Sequence, residues 1–273
     1  MELQVRDESE WKIISYVQIA VYILATILVI VLLIQRFTSK ARGVLIKQSF
    51  IFIFIFNHVK VAGAICMIVF FHQTKASEGL TIATYILNNA SLGFLMKSVM
   101  PIAIRVCFDE FTVVKEDEWK LDQGTQKGTP QRNRIAHLMT LLVTAGIVTT
   151  VVGSACLTSD ISTANSLFKA SGLIFLAAVV IMTAVVLISL RKESEYGLVN
   201  KFLLVCSAFL LIRCIYSVVS AFAGMDIFSN PSKYVFLFGE YQYYCFIAFI
   251  EEILTNLTII STTYYLAYKV MDF

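Results

Sequence analysis

The sequence predicts an all-α polytopic membrane bundle of seven transmembrane helices, with the N-terminus outside and the C-terminus in the cytosol. Three observations carry that expectation. Hydrophobic residues make up 58% of the 273 positions and charged ones only 15%, with a mean hydropathy of +0.77. Soluble domains sit nearer to half apolar and a quarter charged. The apolar residues also come in blocks of about 20, the length a helix needs to cross roughly 30 Å of hydrocarbon. Finally, the Lys and Arg collect in alternate connections between the blocks.

The seven blocks fall at about 13–35, 48–71, 80–104, 138–158, 170–190, 202–224 and 243–268, and residues 1–273 read as one transmembrane domain. The first block follows an acidic stretch, MELQVRDESEWK, and has no small-residue cleavage site, so a retained span is expected instead of a removed signal. Taking the N-terminus as outside, the inner connections hold fourteen Lys and Arg and the outer ones five. Positive charge gathers on the cytosolic side of membrane proteins, which sets the orientation. Tyr241, Tyr243 and Tyr244 at one end of span seven, with Tyr264, Tyr265 and Tyr268 at the other, read as interfacial belts.

The longest polar segment, at about 106–137, contains VKEDEWKLDQGTQKGTPQRNR and reads as a flexible cytosolic loop where a cytosolic partner could dock. No aqueous catalytic domain is left over. A net charge of +3 gives no reason to expect a nucleic-acid partner, and the partner that the composition does imply is the lipid bilayer. The six cysteines have no C-x-x-C or Cys/His spacing and the three histidines are dispersed, so neither a metal nor another cofactor is expected. The cysteines read as small buried hydrophobes; Cys156 and Cys245 both fall near outer span ends, where a disulfide is the lesser alternative. Two sequons, Asn89-Ala-Ser91 and Asn256-Leu-Thr258, lie within spans and read as chance matches.

Function is expected where charge enters the membrane. A charged residue at the centre of a span costs about 2.5–3.5 kcal/mol on the insertion scale and marks a functional site by default. Span two, SFIFIFIFNHVKVAGAICMIVFF, carries Asn57 and Lys60 at helical spacing, with Gly63 and Ala64 beyond them as a close-packing site. Asn89, Gly93 and Lys97 form a stripe in span three that meets Pro101; Lys97 either lines a cavity there or snorkels to the inner interface. In span six, Arg213, Tyr216, Ser217, Ser220 and Gly224 share one face. Glu251 and Glu252 open adjoining polar stripes in span seven that include Thr255 and Asn256. Consecutive antiparallel helices are usually neighbours, so an ion pair from Arg213 to Glu251 or Glu252 is the most economical arrangement.

Three of these segments, FIFNHVKVAGAI, ATYILNNASLGFLMKSVMPIAIRV and LIRCIYSVVSAF, resemble a family of seven-helix fungal membrane proteins catalogued only as a domain of unknown function. The resemblance covers most spans in order and implies the architecture, a fungal source and a link to secondary metabolism. It implies no activity. Lys60 stands where the family pattern has arginine more often. Other seven-span classes fit less well. Span three ends IRVCFDEF, without the acidic-Arg-Tyr triplet of G-protein-coupled receptors, and Asn230-Pro-Ser-Lys-Tyr234 precedes span seven instead of closing it. The acidic motifs of fungal lipid-translocating exporters do not follow Arg213. The expectation is therefore a polar intramembrane cavity, involving Asn57, Lys60, Asn89, Lys97, Arg213, Tyr216, Glu251, Glu252 and Asn256, that handles an unidentified small molecule or lipid by transport or sensing. The alternative is a membrane-embedded enzyme such as a terpene cyclase initiated by Glu251 or Glu252 as an acid.

Overall fold

The computed structural model describes residues 7–38, 44–73, 77–107, 130–191, 197–224 and 232–271. Helices dominate because backbone groups inside a bilayer have no water to bond and must pair within their own segment. The order is α1 (Glu8–Thr38), α2 (Val44–His72), α3 (Glu78–Cys107), α4 (Pro130–Ala155), α5 (Ile161–Leu190) and α6 (Gly197–Phe222). A last rod follows, made of α7 (Tyr241–Tyr244), a π turn (Cys245–Phe249) and α8 (Ile250–Met271).

Six of the seven rods are long and apolar enough to cross a membrane, which is consistent with an integral membrane protein of multi-pass type. Their outward faces carry Ile13, Leu24, Leu141 and Phe246, each about 60% exposed, and so suggest contact with lipid. The third helix does not meet that standard, and its position explains why. Within the bundle α3 packs against α2, α4, α5, α6 and α8. A helix surrounded by protein has no lipid-facing stripe to fill with Leu and Ile, and α3 instead buries Thr81, Thr84, Asn88, Ser91 and Ser98. Around it the remaining helices follow chain order, α1 on α2, α4 on α5 and α5 on α6, and α8 completes the arrangement against α6 and α1.

Glycines set the closest approaches. A Cβ on Gly63 would stand 3.4 Å from Leu87 Cβ, so α2 and α3 meet nearly backbone to backbone, as the Gly63-Ala64 pair predicts. A Cβ on Gly146 would lie 2.6 Å from the Phe175 ring, and one on Gly93 would collide with Ile147; those grooves lock α4 to α5 and α3 to α4.

Three expectations change. Helix α5 begins at Ile161, well before the apolar block at 170, because Asp160 caps it: its carboxylate accepts from the Ser162 and Thr163 amides at 3.1 Å each. The polar first turns, ISTANSLFK, are helical although hydropathy passes them over. Helix α4 ends at Ala155, short of residue 158. Tyr244 is buried and forms no part of an interfacial belt. Cys156 and Cys245 are free thiols, so of the two readings of these cysteines the disulfide is the one set aside. Most of the loop at 106–137, with its expected docking site, lies outside the described residues, as do Asn230 and Pro231 and the side chain of Tyr268.

Candidate functional site: a buried charge triad beside a polar cavity

Lys60 from α2, Arg213 from α6 and Glu252 from α8 meet in the interior. They are 1%, 2% and 0% exposed. Lys60 Nζ lies 2.5 Å from Glu252 Oε2, and Arg213 Nε donates to Glu252 Oε1 at 2.7 Å. Each carboxylate oxygen therefore faces its own cation. Removing such ions from water costs several kcal/mol apiece, offset only when geometry is good and the remaining donors find partners. Here most do. Lys60 Nζ also donates to Asn88 Oδ1 at 2.8 Å, and an Arg213 terminal nitrogen donates to Ser217 Oγ at 2.5 Å. Two cations on one carboxylate leave the group with a formal charge of +1.

The network then runs outward through neutral groups. Asn88 Oδ1 accepts a second bond, from the Tyr244 hydroxyl at 2.9 Å, and that hydroxyl accepts from Gln18 Nε2 at 2.7 Å. Tyr22 adds a long contact of 3.5 Å to Glu252 Oε2. Helices α1, α2, α3, α6, α7 and α8 are thus joined through side chains. Along α2 and α8 from the triad, Asn256 Nδ2 donates to Asn57 Oδ1 at 2.7 Å, leaving Asn57 Nδ2 and Asn256 Oδ1 buried without partners.

The π turn is what puts Tyr244 and Glu252 on one face. At 3.6 residues per turn, eight positions of α-helix would rotate one side chain about 80° from the other. A π turn accommodates one extra residue. The eight positions then behave as seven, and the offset falls to about 20°. Tyr244 and Glu252 are accordingly both buried, with Phe246 between them 63% exposed.

Next to Arg213 lies a cavity of about 40 Å³, lined by the polar Asn88, Asn89, Thr150, Ser171, Ser217 and Ser220 and by the apolar Leu92, Phe168, Phe175 and Phe236. One water needs at least about 10–15 Å³ measured this way, so the space holds roughly three. Asn89 Nδ2 is buried without a partner and belongs to this wall.

The segment before α7 covers one end of the site. Val235, Phe236, Leu237 and Phe238 are all at most 4% exposed. The segment folds back on itself, with Gly239 N donating to Val235 O at 2.8 Å and Glu240 N to Lys233 O at 2.9 Å. Only glycine fits at 239, where a Cβ would meet the Val235 carbonyl at 2.6 Å, and Leu237 takes a φ of +70° to complete the turn. Two tyrosines hold it down: Tyr85 donates to Phe236 O at 2.7 Å and Tyr216 to Tyr234 O at 3.0 Å.

Residues 9–269 match the family described as Domain of unknown function (DUF7702). The chain belongs to that family. No curated protein and no solved structure matches it.

The structure brings together some of the residues singled out in this DUF7702 chain and separates others. Lys60, Arg213 and Glu252 form the triad, and the choice between the two carboxylates falls on Glu252. Glu251 is half-buried on the neighbouring face and makes no ion pair among the described residues. Asn89 and Tyr216 line the cavity, although the Tyr216 hydroxyl is engaged by Tyr234. Asn57 and Asn256 pair with each other, off the cavity wall. Lys97 stands apart with its ammonium 5.8 Å from the Phe52 ring centre, and Gly93 is filled by Ile147. Sequence reasoning missed Gln18, Tyr22, Asn88 and Tyr244. In span one Trp11, Ser15, Gln18 and Tyr22 recur at helical spacing and are all buried, so the stripe logic used for span six would have found two of them. Among the described residues no group of three or more His, Cys, Asp or Glu is placed to hold a metal ion.

Proposed function

We propose that this DUF7702 chain crosses the bilayer seven times, with its N-terminus outside, and handles a small polar molecule in the cavity beside Arg213 by transport or sensing. The observation that carries the reading is a cavity whose wall includes a buried arginine belonging to a group of formal charge +1. A purely structural ion pair has no need for an adjoining polar void. Helix α3 supports seven crossings, since 30 residues at 1.5 Å each extend about 45 Å and the helix packs along four or more others.

The enzyme reading has less support. An acid-initiated cyclase needs a carboxylic acid facing its substrate. Both oxygens of Glu252 face cations, and Glu251 is not among the residues lining the cavity. The test replaces the gene with a cavity-filling Ser220→Leu allele and profiles small molecules in cells and medium separately, beside a deletion strain. The allele is expected to reproduce the deletion profile with normal protein abundance. Full rescue by Ser220→Leu would remove the cavity from the function.

A further inference from the structure

We infer that the cavity takes a carboxylate, either a small free one or the carboxyl end of a longer acid; this rests on the small-molecule reading of the same site. Three features converge on that chemistry. Arg213 has five N–H donors, of which Nε–H goes to Glu252 and one terminal N–H to Ser217, and the guanidinium lines the cavity. The donors that remain are on its two terminal nitrogens, the edge that binds planar carboxylates in a two-bond fork. The formal +1 of the triad is balanced by one negative charge, not two. The volume of about 40 Å³ admits roughly three or four non-hydrogen atoms, the size of formate or acetate.

The rest of the wall fits the same ligand. The unpartnered Asn89 Nδ2 is a further donor, and the Ser220 hydroxyl stands on the Arg213 face of α6. Phe168, Phe175 and Gly172 add apolar surface to the wall, against which a methyl group or the start of a chain would sit. A tetrahedral dianion would be both too large and over-charged.

Trp11 provides the readout, because its ring lies 5.3 Å from Tyr244 and 5.6 Å from Phe236, both residues of the cavity wall. The purified full chain in lipid nanodiscs is titrated, at constant ionic strength, with sodium acetate, acetamide, sodium octanoate and sodium sulfate, following tryptophan fluorescence and melting temperature. Acetate is expected to saturate and to bind about tenfold more tightly than acetamide, its neutral counterpart of equal shape. Octanoate binding without acetate binding would also support the carboxylate and assign it to the head of a longer acid. Ser220→Leu, which leaves Lys60, Arg213 and Glu252 in place, is expected to abolish binding while the melting temperature holds; Asn89→Leu serves if that variant does not fold. Equal affinity for acetamide, or tighter binding of sulfate, would overturn the carboxylate and leave a polar-ligand cavity standing. Failure of all four probes would overturn it too, and only the added rescue of the deletion strain by Ser220→Leu would take the small-molecule reading with it.

Discussion

The two halves of the bundle satisfy their polar groups in different ways. Around α1, α2 and α8, long side chains reach between helices: Gln18 to Tyr244, Tyr244 and Lys60 to Asn88, Lys60 to Glu252, Asn256 to Asn57. In α4 and α5, apart from Ser189, which accepts from Asn200 of α6 at 3.1 Å, hydroxyls bond back to their own helix, as Thr144 does to Thr140 O, Thr150 to Gly146 O and Thr183 to Val179 O. What joins those two helices is size matching, a glycine groove holding Phe175. Partners fixed across helices resist relative movement, whereas a self-satisfied helix can shift without stranding a polar group. The cavity lies between these regimes, with Arg213 of α6, Thr150 of α4 and Ser171 of α5 all in its wall.

The contrast is sharpest where charge is removed. Glu252→Gln strands Lys60 and Arg213 and is expected to cost about 3–5 kcal/mol, seen as a large fall in melting temperature in detergent. Lys60→Met should cost less, because Arg213 still holds Glu252. The α4–α5 half should instead be broken by size: Gly146→Ala presses on Phe175 and is expected to cost about 1–3 kcal/mol by the same measurement. Tyr244→Phe removes a hydroxyl engaged by Gln18 and Asn88, with an expected loss of about 1–2 kcal/mol. A comparable loss from Thr144→Val, which removes only a bond within one helix, would erase the distinction; the expected change is within about 0.5 kcal/mol.

The smallest effect concerns pH. The Thr163 hydroxyl and the Thr163 and Ser162 amides hold the Asp160 carboxyl below its ordinary range. Its stabilisation of α5 is therefore complete above about pH 4 and fades as pH falls through the lowered value. Thermal melts of wild type and Asp160→Asn should converge in acid, since the amide does not titrate there.

Much of this was legible in the sequence because the bilayer makes helices compulsory and charge conspicuous. Lys60, Arg213 and Glu252 stood out as misfits in apolar runs, and helical spacing alone placed the polar groups of α6 on one face. What stayed hidden was neutral or irregular. Asn88 and Asn89 are adjacent and chemically identical, and only packing against Gly63 assigns the first to Lys60. Tyr244 reads as interfacial from its place beside Tyr241 and Tyr243 at a span end, and the π turn that brings it round to the face of Glu252 leaves no mark in the sequence. The cover formed by Val235 to Phe238 is too short to register as an element.

The π turn gives the last rod one residue more than its contacts require. Shortening a helix by one position ordinarily swings everything beyond the cut by about 100°. Between Cys245 and Phe249 the same deletion would relax the turn to plain α-helix and leave both ends aimed as before. Removing Ile247 should therefore preserve a melting transition close to that of the intact chain, while removing Ile253, only six positions later, should uncouple Asn256 from Asn57. This span carries slack in its length at one place, and its orientation tolerates an error there that it tolerates nowhere nearby.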